Sequence, residues 1–262
     1  MRASNDVSEL LNVLREQELL PVNVLAVMLV GSRARGWDND KSDFDIYVVT
    51  DRIWTSDSSA SRSIPLNPPV IGSETFYTSD ERWEVTYWQD AQVGQILSKV
   101  SWAEFGREQA AGQVLSVGEE IFLDRLPHCR VLVGPAWVEA RRTELATSAF
   151  RSFVVARSLS AADDSTEDAL GLLEAGQLES SVLAARKALG HIVDALLEQC
   201  GEYGSHSPKW RPQRFGAANP AGFTFAEYWR LETMQDLDPD DPGRWVREVL
   251  TLCQDLSMKM EI

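Results

Sequence analysis

Residues 24–49 read VLAVMLVGSRARGWDNDKSDFDIYVV, and the order of residue types in this stretch decides the fold. Two apolar runs of strand length, 24–30 and 43–50, flank a loop rich in Gly, Ser and charge, with a turn or short helix at 31–36. Strand side chains alternate between faces, so Asp43 and Asp45, two apart, project to the same side. Two carboxylates held side by side repel each other and call for a cation. A carboxylate-led, all-oxygen site with room for water and phosphate oxygens suits Mg²⁺. The Gly31-Ser32 turn supplies backbone N–H groups and a hydroxyl, the groups that cradle phosphate oxygens where a strand turns into a helix. A phosphate cradle beside a divalent-metal pair is the equipment of phosphoryl or nucleotidyl transfer.

Gly31-Ser32-Arg33-Ala34-Arg35-Gly36, a short gap, and then Ser42-Asp43-Phe44-Asp45 together resemble the signature of the DNA polymerase beta-type nucleotidyltransferase superfamily. In that pattern a Gly-Ser turn precedes an Asp-x-Asp on the next strand. The resemblance implies two Mg²⁺ ions, a nucleoside triphosphate as co-substrate, with ATP expected, and Asp43 and Asp45 as metal ligands. Two-metal chemistry needs carboxylates bridging ions about 3.5–4 Å apart, so a third acid is expected from a neighbouring strand. Glu84, an acid inside the aromatic strand Trp83-Glu-Val-Thr-Tyr-Trp88, is the best candidate, as metal ligand or as general base on the acceptor. Glu81 is the fallback if the register shifts. Ser32 is expected to contact phosphate, with Gly31 letting it come close, and Gly31, Ser32, Arg33 and Ser42 form the expected nucleotide-binding set. One of Arg33 and Arg35 would clamp the leaving pyrophosphate and the other would be structural. Asp38 and Asp40 read as solvated acids.

Bulk composition narrows the acceptor. A net charge of −15 with no basic stripe demotes polynucleotides, whose phosphates need Lys and Arg to grip them. It leaves small neutral or cationic hydroxyl acceptors. No apolar run reaches the ~20 residues of a membrane span and no signal-peptide core opens the chain, so a cytoplasmic location is expected. Cys129, Cys200 and Cys253 are scattered and odd in number, and are expected to be reduced and buried.

Periodicity divides the chain at Gly134-Pro135 into an α/β nucleotidyltransferase domain, 1–136, and an all-helical substrate-binding domain, 137–262. In the first, 5–20 reads as an amphipathic helix capped by Asn5 or Ser8, 51–72 as a long loop or irregular hairpin, 90–101 as helix, 104–114 as an ambiguous helical segment, and 119–133 as two short runs that could add edge strands. In the second, helices are expected over 137–162, 165–175, 178–200, 223–235 and 242–260, with a connecting loop at 204–222. Residues 178–197 followed by Ser207-Pro208-Lys209-Trp210-Arg211-Pro212 resemble the helical domain of kanamycin-type small-molecule nucleotidyltransferases, where such a domain closes over the nucleotide. That resemblance makes Lys209 a triphosphate ligand; read alone, Lys209 is equally a surface lysine. Arg186 and His191 fit the Arg-x4-His pattern of HEPN ribonucleases, but five residues turn a helix by about 140°, so the pair does not share a face. His191 reads as a partly buried structural histidine. Trp83, Tyr87 and Trp88 read as core aromatics before they read as base-stacking ones. Two rivals to a small-molecule acceptor stand at this point: a protein-modifying enzyme of toxin–antitoxin type and a non-catalytic nucleotide-binding module.

Overall fold

The computed structural model describes residues 6–54, 60–78, 80–107 and 114–262. They form two compact units. One takes in the described residues up to Ser101 with Val114–Ser148, and the other the described residues of Trp102–Gln113 with Ala149–Ile262. The composition change at Gly134-Pro135 opens a helix that packs on the sheet of the first unit, and the second unit resumes at Ala149.

The first unit is built on a six-stranded mixed sheet of order β3-β4-β5-β2-β1-β6. Its strands are β1 (Val24–Val30), β2 (Phe44–Thr50), β3 (Ala60–Ser63), β4 (Val70–Thr78), β5 (Glu81–Gln89) and β6 (Arg130–Val133). β1 runs antiparallel to β2 and β6, β2 runs parallel to β5, and β5, β4 and β3 follow one another antiparallel. Strict alternation gives this sheet two unlike faces. Val27, Leu29, Phe44, Ile46, Val48, Trp83, Val85 and Tyr87 share one face and are buried together with Leu10, Leu11 and Leu14 of α1 (Val7–Glu16). The carboxylate of Asp6 caps α1 by accepting from the Ser8 amide at 2.8 Å, and Asn5 lies outside the described residues. Trp83, Tyr87 and Trp88 are all buried, which settles them as core; the Tyr87 hydroxyl donates to the Leu19 carbonyl at 3.0 Å.

On the opposite face, alternation places Asp45 and Tyr47 of β2, Glu84 and Thr86 of β5, and Ser73 and Thr75 of β4. Tyr47 and Trp88 are covered there by Phe122 of α5 (Val117–Arg125). Between these strands the chain forms α2 (Gly31–Arg35), α3 (Asp90–Lys99) and α4 (Trp102–Phe105), and after β6 comes α6 (Pro135–Thr147). Of the two readings of 51–72, the irregular hairpin is the one found: β3 pairs antiparallel with the start of β4, and 55–59 lie outside the described residues. Residues 119–133 do not give two strands: Ser116 and Glu119 form a capping box that starts α5, and only Arg130–Val133 is strand. The helical segment read over 104–114 is α4 at its start, and 108–113 fall outside the described residues.

The second unit is helical. It contains α7 (Phe150–Glu174), α8 (Leu178–Gln199), α9 (Arg211–Ala218), α10 (Phe225–Glu232) and α11 (Pro242–Ser257), with α7, α9, α10 and α11 all packed on α8. The helices expected at 137–162 and 165–175 are redistributed: α6 ends where the Thr147 and Ser148 hydroxyls donate back to carbonyls of their own last turn, and α7 runs unbroken to Glu174. The loop expected at 204–222 contains the single-turn 3₁₀ helix Pro208–Trp210 and α9. Cys129 and Cys253 are buried free thiols, whereas Cys200, at the end of α8, is exposed.

The apolar core of this unit carries a polar seam. Asp194 accepts from Arg211 at 2.8 Å and from the buried Arg214 at 2.7 Å, and Arg214 also donates to the Glu202 carbonyl. Gly190 leaves room for Arg211, whose guanidinium would lie 3.2 Å from a β-carbon there. One turn on, Glu198 is 1% exposed and accepts from the Ser158 hydroxyl at 2.7 Å and from Arg157 at 3.4 Å. Burial pushes its carboxyl up to about 7, helped by the Asp194 charge and opposed by Arg157 and the Ser158 hydrogen bond. A folded-state value above the unfolded 4.5 means that the fold prefers the protonated acid. Its contribution is therefore complete below pH 4.5 and is lost as pH rises through about 7. The span corresponds to roughly 3 kcal/mol. Glu198→Gln keeps the shape without the titration, so its urea stability relative to wild type should climb from pH 5 to pH 8. Parallel stability–pH curves for the two proteins would contradict this.

Candidate active site

The parallel register of β2 and β5 sets Asp45 beside Glu84, and β4 sets Thr75 on the other side of Glu84. Asp43 precedes β2 and lies two residues before Asp45, on the same side. The three acids nominated from the sequence thus meet at one end of the exposed sheet face. Their mutual repulsion is visible at Asp45: burial pushes its carboxyl above the usual range, Arg125 pulls it back, and the Glu84 and Asp43 charges push it up again.

Gly31 brings its turn against this acid. It sits at φ +72°, and a β-carbon there would overlap Oδ2 of Asp45. The Gly31-Ser32 turn and the Asp45 carboxylate are therefore in direct contact. Ser32 is half-buried in the first turn of α2, and its carbonyl accepts from the amides of Gly36 and Trp37 to close that turn.

Two arginines that the sequence reading did not nominate complete the constellation. Arg82, two residues before Glu84 and so on its face, donates to Asp43 at 2.8 Å and pairs with Glu84. Arg125 of α5 lies 3.6 Å from Asp45 and donates to the Tyr47 hydroxyl at 3.2 Å. Among the described residues no three His, Cys, Asp or Glu side chains are gathered as a ready metal cage. The cations standing among the acids are Arg82, on Asp43 and Glu84, and Arg125, on Asp45. The donor set nevertheless suits a hard dication: it is all carboxylate oxygen, and the ionised form of Asp45, disfavoured by burial and by two like charges, gains most from added positive charge.

Other nominated residues serve the fold. Arg33, 9% exposed at its side chain, donates twice to the Ser42 carbonyl at 2.7 and 3.0 Å, stacks 3.7 Å above the Phe44 ring and pairs with Glu81 at 3.5 Å. As it stands its guanidinium is committed to holding the loop between α2 and β2, and is not open to a phosphate. Ser42 belongs to the same lock: its hydroxyl accepts from the Asn39 amide and its own amide donates to the Asn39 carbonyl, both at 2.9 Å. Glu81, the fallback acid, is taken by Arg33. Arg35 stacks on Trp37 at 3.8 Å. Lys209 is an exposed residue of the second unit, with its ammonium 5.2 Å from the Trp210 ring centre. Arg186 pairs with Glu232 of α10 at 3.0 Å, and burial lowers the half-buried His191 from its usual value, so both behave as structural side chains of α8.

Beside Glu84, a polar cavity of about 200 Å³ opens between Arg62, Ser73, Thr75 and Thr86.

The mixed sheet followed by a helical unit is a nucleotidyltransferase-like fold. The solved structure of a nucleotidyltransferase-like protein from Exiguobacterium sibiricum 255-15 matches this chain with a TM-score of 0.50, over 95% of this chain and 73% of that one, at 10% sequence identity. No protein-family model matches the chain, and no curated protein matches it. The likeness is one of fold. Among the described residues no helix is long and apolar enough to cross a membrane.

Proposed function

We propose that the protein is a Mg²⁺-dependent nucleotidyltransferase that moves a nucleoside monophosphate, AMP in the first instance, from its triphosphate to a hydroxyl of a small molecule such as an antibiotic or a natural-product intermediate. The observation that carries this reading is the contact between the Gly31-Ser32 turn and Asp45, with Asp43 and Glu84 on the same sheet face. Asp43 and Asp45, with Glu84, would hold two Mg²⁺ ions. When bound, these neutralise the triphosphate and orient its α-phosphorus. The Ser32 hydroxyl and the turn's backbone amides bind the phosphate tail. The acceptor hydroxyl enters from the cavity beside Glu84. Its oxygen bonds to the α-phosphorus, the bond from that phosphorus to the bridging oxygen breaks, pyrophosphate leaves, and Glu84 takes the hydroxyl proton. The −15 charge and the absence of a basic stripe in the sequence support a small acceptor over a polynucleotide.

The test is incubation with each triphosphate and Mg²⁺ across a panel of hydroxylated small molecules that includes aminoglycosides, following pyrophosphate and acceptor mass. One acceptor should gain the mass of a nucleoside monophosphate in step with pyrophosphate. Pyrophosphate-free incubations with every triphosphate would count against the reading. Within it, Ser32→Ala should raise KM for the triphosphate about tenfold or more, the worth of one hydrogen bond to a charged oxygen, and leave acceptor KM in place. An unchanged triphosphate KM would mean that the hydroxyl faces away from the ligand.

A further inference from the structure

Arg82 is a charge on this face that the proposed chemistry does not use, and it pairs with two of the acids. Its guanidinium reaches Asp43 with one nitrogen, at 2.8 Å, and Glu84 with the other. It spans two of the three carboxylates proposed as metal ligands. The side chain is 40% exposed, so it is a surface cation held by two acids and not a core strut. The two pairs it makes are part-exposed, with Asp43 and Glu84 at 33% and 39%, and each is worth little.

We propose, resting on the reading of these acids as metal ligands, that Arg82 is a resident counter-cation that a metal ion must displace. It neutralises Asp43 and Glu84 in the metal-free protein and lowers the affinity of the site for a dication on its own. Once displaced, the guanidinium needs a new anion, and the triphosphate is the anion that arrives beside these acids. Metal and triphosphate therefore bind cooperatively, because the triphosphate supplies the partner that Arg82 gives up. In this role Arg82 is a positioning residue, acting through the two carboxylates.

The test uses Mn²⁺ alone as the probe, titrated into the full-length protein and followed by the loss of free-ion signal in electron paramagnetic resonance. Arg82→Gln should bind Mn²⁺ about tenfold more tightly than wild type, since the ion no longer has two part-exposed pairs to break. Its metal-free form should melt lower than wild type, and Mn²⁺ should raise its melting temperature further. Arg82→Lys, which keeps the charge but cannot fork between two acids, should fall between them. Asp45→Asn is the control for the site itself. If Asp45→Asn abolishes Mn²⁺ binding while Arg82→Gln binds it no better than wild type, the counter-cation role is overturned and the metal site stands. If Asp45→Asn leaves Mn²⁺ binding intact, the metal lies elsewhere and both readings fall together.

Discussion

Asp45→Asn should reduce nucleotidyl transfer by about a hundredfold to a thousandfold while leaving the fold in place, since removing one preorganised charge-stabilising group from such a site costs factors of this order. Three features of Asp45 converge on this result. It sits beside Glu84 in the strand register, it lies against the Gly31 turn, and its carboxyl is pushed up by burial and by its acidic neighbours. Asn is nearly isosteric but carries no charge for a metal. Relief of a crowded, desolvated acid should leave the melting temperature close to wild type even though Arg125 loses its partner at 3.6 Å. Parallel measurement of turnover and thermal melting checks both halves. Turnover near the wild-type rate, in buffer freed of other metals and resupplied with Mg²⁺, would remove Asp45 from the chemistry.

Gly31→Ala should be the next most damaging change, by a different route. Alanine strains a backbone held at φ +72° and its methyl would overlap Oδ2 of Asp45. The strain costs about 1–3 kcal/mol. The overlapped atom is the tip of a side chain that can turn aside, so the larger effect falls on the position of Asp45. A displacement of about 1 Å at a reacting centre costs about a hundredfold in rate. The variant should therefore fold, melt a few degrees lower and turn over about a hundredfold more slowly, with Mn²⁺ affinity reduced alongside. A variant that melts lower but reacts at the wild-type rate would show that the contact between Gly31 and Asp45 serves stability alone.

The legible part of this protein is the part whose chemistry is local. Alternation along 43–50 puts Asp43 and Asp45 on one side, and an acid inside an aromatic strand singles out Glu84, but only the parallel pairing of β2 with β5 brings Glu84 into register beside Asp45. The same rule reaches Arg82, which alternates with Glu84 in ERWEV and so shares its face. Arg125 had no such signal. It comes from α5, whose Ile-Phe-Leu run reads as a strand, and only the Ser116–Glu119 capping box marks it as helix. Arg33 and Ser42 carry the residue types of a phosphate site, yet a tertiary contact spends them on closing the loop to β2. The break between α6 and α7 has neither Gly nor Pro; serine and threonine hydroxyls turned onto backbone carbonyls end the helix there.

The most direct measurement of the central claim is the fate of label from two positions of the same triphosphate. ATP labelled at the α-phosphorus and ATP labelled at the γ-phosphorus are each incubated with the protein, Mg²⁺ and the acceptor panel. Transfer of a nucleoside monophosphate predicts that α-label appears on an acceptor, that γ-label leaves as pyrophosphate, and that both signals vanish in Asp45→Asn. Label on the acceptor from the γ position, or α-label transfer that survives Asp45→Asn, would contradict it.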